Sequence, residues 1–125
     1  MQGTILIADD DPLMVAVVEH HLNAAGFSTH SVSSGADALD YICARRPSVA
    51  ILDSMMPGMS GVEVLRRLQR EGRSHQSKVI MLTALSEERH VVAAFKLGAA
   101  DFIAKPFSPD ELVARVSRLI SAHVA

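Results

Sequence analysis

Short apolar runs alternate with amphipathic segments along this chain, and that alternation limits the folds open to it. The apolar runs are Thr4–Ala8, residues 27–32, Val49–Asp53, residues 78–82 and Asp101–Ala104. Each run has the length of a strand and is followed by a segment with helical periodicity. This pattern predicts a parallel sheet with helices on both faces, because parallel strands need crossover connections.

Chain length narrows the choice further. With 125 residues the chain can bury one full core, but it is too short for a (β/α)₈ barrel. Right-handed crossovers leave few strand orders. We predict a single doubly wound α/β domain over residues 1–125, with five parallel strands in the flavodoxin-like order 2-1-3-4-5 and no output domain within it.

Residues that can cap a helix precede each helical segment. These predicted N-caps are Asp11, Ser34, Ser60, Ser86 and Ser108. The first helix also carries an apolar stripe, which predicts the residues that face the sheet. The members of this stripe are Met14, Val17, Val18, Leu22 and Ala25.

Polar residues stand at the carboxyl ends of four of the predicted strands. Asp9 and Asp10 follow the first strand, Asp53 ends the third, Thr83 follows the fourth and Lys105 follows the fifth. Parallel strands place these ends on one edge of the sheet, and the predicted order makes strands one and three neighbours. The three carboxylates should therefore converge on one crevice, flanked by the threonine and the lysine.

Such a cluster of carboxylates is costly. Two unit charges about 4 Å apart repel by roughly 4 kcal/mol at an effective dielectric constant of about 20, and typical net stability is only roughly 5–15 kcal/mol. A hard dication would supply the missing positive charge. Ligands that are all oxygen, with no histidine nearby, suit Mg²⁺ or Mn²⁺.

The remaining groups of the crevice fit phosphoryl transfer. A carboxylate can act as a nucleophile and form an aspartyl phosphate, and Asp53 is the carboxylate that stands apart from the acidic pair. A metal ion, the Lys105 ammonium and the Thr83 hydroxyl can then neutralise and hold the phosphoryl oxygens.

Four blocks of the sequence carry a family resemblance. They are residues 5–12 (ILIADDDP), 53–61 (DSMMPGMSG), 82–84 (LTA) and 98–107 (GAADFIAKPF). Together, and at these spacings, they resemble the receiver domains of two-component response regulators, of the chemotaxis-receiver type. The resemblance covers essentially the whole chain.

The resemblance implies a role for each residue of the crevice. Asp53 would accept a phosphoryl group from a sensor histidine kinase or a histidine phosphotransfer protein. Asp9 and Asp10 would hold Mg²⁺ together with Asp53, and the backbone carbonyl of Met55 would complete the protein ligands. Lys105 would contact the bound phosphoryl group.

The resemblance also implies a conformational switch made by Thr83 and Phe102. Its output would be the surface formed by the fourth helix, fifth strand and fifth helix, read by a downstream output domain or protein and open to a homodimer that forms on phosphorylation. Lys105–Pro106 would be a cis peptide. Two residues depart from the commoner pattern: Ser60 stands where receivers often have Asp, and Phe102 lacks the hydroxyl of Tyr.

Two other functions fit parts of the sequence. Asp9 and Asp11 form an Asp-x-Asp pair after a strand, similar to the nucleophile and general acid of haloacid-dehalogenase-type phosphatases. Leu13 replaces the Thr or Val of that family, and the chain is short for a cap domain. A phosphate-independent scaffold of the same fold is the third alternative, and the presence of all five crevice residues argues against it. The leading prediction is therefore a signalling switch with slow self-catalysed chemistry, not an enzyme.

Composition excludes several partners. The net charge is −2, without a basic stripe, and aromatic residues make up only 4%, so direct binding to nucleic acid is not expected. The apolar runs are too short to span a membrane, and the acidic start is unlike a signal peptide. The single cysteine, Cys43, indicates a reducing compartment, which predicts a cytoplasmic protein.

Overall fold

A computed structural model of the chain describes residues 3–71, 77–83 and 88–124. The described residues form five strands and five helices in strict alternation. The strands are β1 (Thr4–Ala8), β2 (Ser28–Val32), β3 (Val49–Asp53), β4 (Lys78–Thr83) and β5 (Asp101–Ala104). The helices are α1 (Pro12–Ala24), α2 (Gly35–Arg45), α3 (Gly61–Arg70), α4 (Glu88–Lys96) and α5 (Pro109–Val124).

All neighbouring strands pair in parallel, in the order β2-β1-β3-β4-β5. This confirms the predicted flavodoxin-like fold. β3 lies at the centre of the sheet, and each of its five residues is buried. Its continuous apolar sequence follows from that position, because helices cover a central parallel strand on both faces. β2 lies at an edge and is correspondingly polar.

Helices cover the two faces of the sheet unequally. α1 and α5 pack on one face, where Val18, Leu22, Leu112 and Val116 meet the side chains of alternate strand residues such as Ile51. α2, α3 and α4 pack on the other face against the intervening strand residues, including Leu52 and Met81. None of the helices described is long and apolar enough to cross a bilayer.

Side-chain caps start the helices where the sequence predicts them. The Asp11 carboxylate accepts hydrogen bonds from the backbone N–H groups of Leu13 and Met14. Ser34, Ser60 and Ser108 each accept one from the backbone N–H three residues on. Loss of such a cap typically costs about 1 kcal/mol. The predicted cap Ser86 lies outside the described residues.

The stripe predicted for α1 is wrong in part. The residues that α1 buries are Val15, Val18 and Leu22, whereas Val17 is 39% exposed. Positions 15, 18 and 22 follow the helical period and face the sheet. Met14 is partly buried against the core, as predicted, and Val17 lies to one side of the buried face. Both residues line a groove with Phe107. Ala25 is the C-cap, past the end of the helix.

Candidate functional site

Three acidic residues meet at the carboxyl end of the sheet. β1 runs directly into Asp9 and Asp10, and its neighbour β3 ends at Asp53. Ala8 is paired with Leu52 in the strand ladder, so the next residues of the two strands stand side by side. One carboxylate oxygen from each of the three acids lies within 4.8 Å of the others. The structure thus brings these predicted site residues together.

Backbone N–H groups orient the two buried acids. Asp9 is 2% exposed and Asp53 is 4% exposed, whereas Asp10 is exposed to solvent. The Asp9 Oδ1 atom accepts a hydrogen bond from the backbone N–H of Asp11 at 3.0 Å. The Asp53 Oδ1 atom accepts one from the backbone N–H of Met55 at 3.1 Å. In both cases the side chain bonds the backbone two residues on, as is common at turns.

Lys105 reaches both buried carboxylates from the end of β5. Its Nζ atom lies 2.8 Å from Asp9 Oδ2 and 3.6 Å from Asp53 Oδ2. The backbone N–H of Lys105 donates to the carbonyl of Thr83 at 2.7 Å, which fixes the lysine beside the end of β4. The peptide bond that follows, Lys105–Pro106, is cis.

Thr83 and Phe102 lie on the same face of the sheet. Thr83 directly follows Leu82, the ladder partner of Asp53, and its side chain is buried. Met81 is paired with Phe102, and side chains alternate between faces, so the ring and the threonine side chain share a side. The Phe102 ring contacts Phe95 of α4 edge to face, with the ring centroids 5.9 Å apart.

Burial and charge shift the protonation equilibria of this cluster. Burial is the main reason that the pKa of Asp53 is raised; the nearby Asp9 charge adds to the effect, and the Met55 hydrogen bond and Lys105 oppose it. Burial alone would lower the pKa of Lys105. The hydrogen bond to Asp9 and the charges of both carboxylates outweigh that effect, so the pKa of Lys105 is raised.

The raised pKa of Asp53 predicts that Asp53→Asn stabilises the protein at neutral pH. Between the unfolded value of about 3.9 and the raised folded pKa, the native state binds more protons than the unfolded state, so stability falls as pH rises. An Asn side chain does not ionise, so the variant does not lose stability in this way. Urea unfolding in metal-free buffer should therefore give a higher free energy of unfolding for the variant than for the wild type. This difference should be small near pH 3.5 and larger at pH 7. A gap that shrinks with rising pH would contradict the assignment.

The donor set fits a hard divalent cation. Asp9, Asp10 and Asp53 present carboxylate oxygens close enough to share one ion. Oxygen-only ligands suit Mg²⁺ or Mn²⁺. Asp10 is exposed and leaves the cluster open toward solvent, while the other two carboxylates are buried.

Sequence reasoning missed a close backbone contact beneath the site. Gly61 is the first residue of α3, and a Cβ atom there would lie 2.5 Å from the carbonyl oxygen of Asp53 and 2.9 Å from the Met81 methyl group. Gly61 ends the block of residues 53–61 that carries the family resemblance, but the sequence does not show which backbone atoms it contacts. The sequence does not reveal either that the Met55 side chain is exposed.

Comparison with known families decides the identity of the chain. The profile of the response regulator receiver domain matches residues 5–117. The chain belongs to the receiver domain family of response regulators. Receiver domains are signalling domains rather than enzymes in the usual sense, and the family binds Mg²⁺ at an acidic pocket.

Curated relatives of this receiver domain are longer proteins. It is 42% identical over 117 residues to the transcriptional regulatory protein GltR of Pseudomonas aeruginosa, which covers 94% of this chain and 48% of the relative. It is 39% identical to the phosphate regulon transcriptional regulatory protein PhoB of the same species, covering 94% of this chain and 51% of that protein. The receiver domain thus spans about half the length of these relatives.

Solved structures of receiver domains share the fold over nearly the whole chain. The receiver domain of the Francisella response regulator 1452 superposes with a TM-score of 0.91 at 30% identity, covering 98% of this chain and 99% of the other. The BeF3-activated DrrB receiver domain superposes with a TM-score of 0.85 at 32% identity, covering 97% and 99%.

Proposed function

We propose that this receiver domain is a phosphoacceptor switch, in which Asp53 takes a phosphoryl group from the phosphohistidine of a sensor histidine kinase or a histidine phosphotransfer protein. The observation that carries the proposal is the convergence of buried Asp53 with Asp9, Asp10 and Lys105 in one crevice. Such a site concentrates the charges that phosphoryl transfer requires. The location we propose is the cytoplasm, for which the single cysteine argues.

The two oxygens of Asp53 have different surroundings, which supports Oδ2 as the nucleophile. Oδ1 is held by the Met55 N–H, so Oδ2 is the oxygen that attacks phosphorus. The P–N bond to the donor imidazole breaks as the new O–P bond forms. The electron pair of that bond stays on the imidazole nitrogen, and the product is an aspartyl phosphate.

Positive charge and hydrogen-bond donors surround the position of the new group. Lys105, whose Nζ atom is 3.6 Å from Oδ2, would pair with a phosphoryl oxygen, and the buried Thr83 ends the neighbouring strand. Asp9, Asp10, Asp53 and the backbone carbonyl of Met55 would hold Mg²⁺ or Mn²⁺. When bound, the cation would neutralise charge on the phosphoryl oxygens.

The environment of Asp11 argues against a phosphatase of the Asp9/Asp11 type. A general acid must be free to donate a proton, but the Asp11 carboxylate caps α1 and accepts hydrogen bonds from two backbone N–H groups. Asp9, the nucleophile in that alternative, is already paired with Lys105. We therefore propose only slow, self-catalysed hydrolysis of the phosphorylated state.

The switch would act through Thr83 and Phe102, which share a face of the sheet. Movement of the threonine toward the phosphoryl group would free space for the ring, which now rests against Phe95. This is a shift between two packings of one core.

The surface of α4, β5 and α5 would then be read by an output domain, an output protein or a second copy. The curated relatives are transcriptional regulators about twice as long as this chain.

Labelling of the wild-type protein tests this function. Incubation with a small phosphoramidate donor and MgCl₂ should add one phosphoryl group, and peptide mapping after borohydride reduction should place it on Asp53. Chelation of the metal should suppress labelling, because the three carboxylates would then repel the incoming anion. Generic phosphate esters should not be turned over. Label on Asp9, or ester hydrolysis, would instead favour a phosphatase; absence of label with every donor would favour a scaffold.

A further inference from the structure

The Lys105 ammonium is paired with Asp9, whereas phosphoryl transfer requires it beside Asp53. It is 2.8 Å from Asp9 Oδ2 but 3.6 Å from Asp53 Oδ2. In the proposed function the same group pairs with a phosphoryl oxygen on Asp53. The Asp9 side chain is 1% exposed and that of Lys105 is 24% exposed, so this ion pair is only weakly screened by water.

Both oxygens of Asp9 already have donors. Oδ1 accepts from the backbone N–H of Asp11, and Oδ2 accepts from the Lys105 ammonium. At Asp53, Oδ1 accepts from the backbone N–H of Met55, and Oδ2 lies 3.6 Å from the lysine Nζ atom, a longer distance than the one to Asp9. The Lys105 ammonium therefore pairs with the carboxylate of Asp9, which a divalent cation would also need as a ligand.

We propose that Lys105 is the resident counter-ion of the metal-free cluster, held on Asp9 in the place of a divalent cation, and that cation binding transfers its ammonium to Asp53. This inference rests on the cation site of the proposed function. Three carboxylates and one ammonium leave a formal charge of −2, which one dication neutralises. The ammonium and the cation repel each other at Asp9, and Asp53 Oδ2 is the nearest other carboxylate oxygen that the structure gives the lysine.

The coupling has a thermodynamic consequence that runs in both directions. If the ammonium weakens cation binding by occupying Asp9, then cation binding must weaken the hold of Asp9 on the ammonium by the same factor. Lys105 would thus become available to the phosphoacceptor only when the cation is in place. Without the cation, the phosphoryl group would lack the charge of the cation and also that of Lys105, which would remain on Asp9.

Binding of MgCl₂ to Lys105→Gln tests the inference, with affinity measured by calorimetry instead of phosphorylation. We expect the variant to bind Mg²⁺ at least tenfold more tightly than wild type, a change equivalent to about 1.4 kcal/mol. Lys78→Gln is the matched control, since it removes the same charge from an exposed position at the amino end of β4, roughly 17 Å from the carboxyl end. Its affinity should remain within about twofold of wild type, since screening by salt weakens interactions over such distances.

A second measurement uses the unaltered protein, so the inference stays testable if the variant does not fold. The chain has three lysines, Lys78, Lys96 and Lys105, and nitrogen-15 NMR can follow each ammonium group during an MgCl₂ titration. Only the Lys105 signal should shift strongly. Equal or weaker Mg²⁺ affinity of Lys105→Gln, or an unchanged Lys105 signal on saturation, would overturn the inference alone. Absence of Mg²⁺ binding in both proteins would overturn the proposed cation site as well.

Discussion

Replacement of Asp53 by Asn should abolish phosphoryl labelling while leaving the fold intact. The side chain keeps its shape and its oxygen can still accept the Met55 hydrogen bond, but the amide nitrogen that replaces the second oxygen is not a nucleophile. Intact-mass spectrometry after incubation with a phosphoramidate donor and MgCl₂ should detect no phosphorylated variant under conditions that label the wild type.

Asp9→Asn is the informative comparison for that experiment. It removes one charge from the same cluster but leaves the proposed acceptor in place. We expect labelling to slow by roughly tenfold or more, because a metal ligand is lost and even the loss of a residue that only orients a ligand typically costs about 10–100-fold. The remaining label should still be on Asp53. Complete loss of label in Asp9→Asn together with normal labelling of Asp53→Asn would contradict the proposed function and support a phosphatase-type nucleophile.

Gly61→Ala should destabilise the domain through a close contact beneath the site. The added Cβ would lie 2.5 Å from the backbone oxygen of Asp53, so either α3 or the end of β3 must move. Overpacking of this kind costs about 2–3 kcal/mol, which corresponds to a fall of roughly 10 °C in Tm for a domain of this size. Thermal unfolding followed by circular dichroism would measure it, and labelling of Asp53 should slow because the acceptor is displaced.

Gly58, in the loop before α3, provides a control because its backbone conformation, not a close contact, opposes substitution. Its φ is +78°, and a Cβ there would meet nothing within 4 Å, so only the backbone conformation resists substitution. Asn tolerates positive φ better than Ala, so Gly58→Asn should be milder than Gly58→Ala. At Gly61 the larger Asn side chain should be worse than Ala. The same order at both positions would refute the proposed close contact at Gly61.

The convergence of the acids could be predicted because it depends on topology rather than on side-chain detail. Once strands one and three are known to be parallel neighbours, Asp9, Asp10 and Asp53 must end at one edge. The caps could be predicted for a similar reason, since Asp11 and Ser60 act on backbone groups two or three residues away. Local and topological rules therefore specify most of the fold and the composition of the site.

Details that depend on helix rotation and on competing contacts could not be predicted. The stripe predicted for α1 includes Val17 and omits Val15, and only the packing of the helix on the sheet shows that Val15 is the buried residue. Likewise, the sequence places Lys105 near three carboxylates but does not reveal its preference for Asp9. The close approach of Gly61 to Asp53 arises from the packing of a helix start under a strand end, a contact that cannot be read from the sequence block in which Gly61 stands.

The centre of the sheet determines which parts of this domain can move. Ile51 and Leu52, the two residues before Asp53, point into opposite helical layers, and both are fully buried. Sliding or rotating β3 would withdraw one of them from its layer and open a void, at a cost of several kcal/mol. In the proposed function the acceptor would therefore be an anchored reference point, and the conformational change would take place at Thr83 of β4 and Phe102 of β5 instead of in β3.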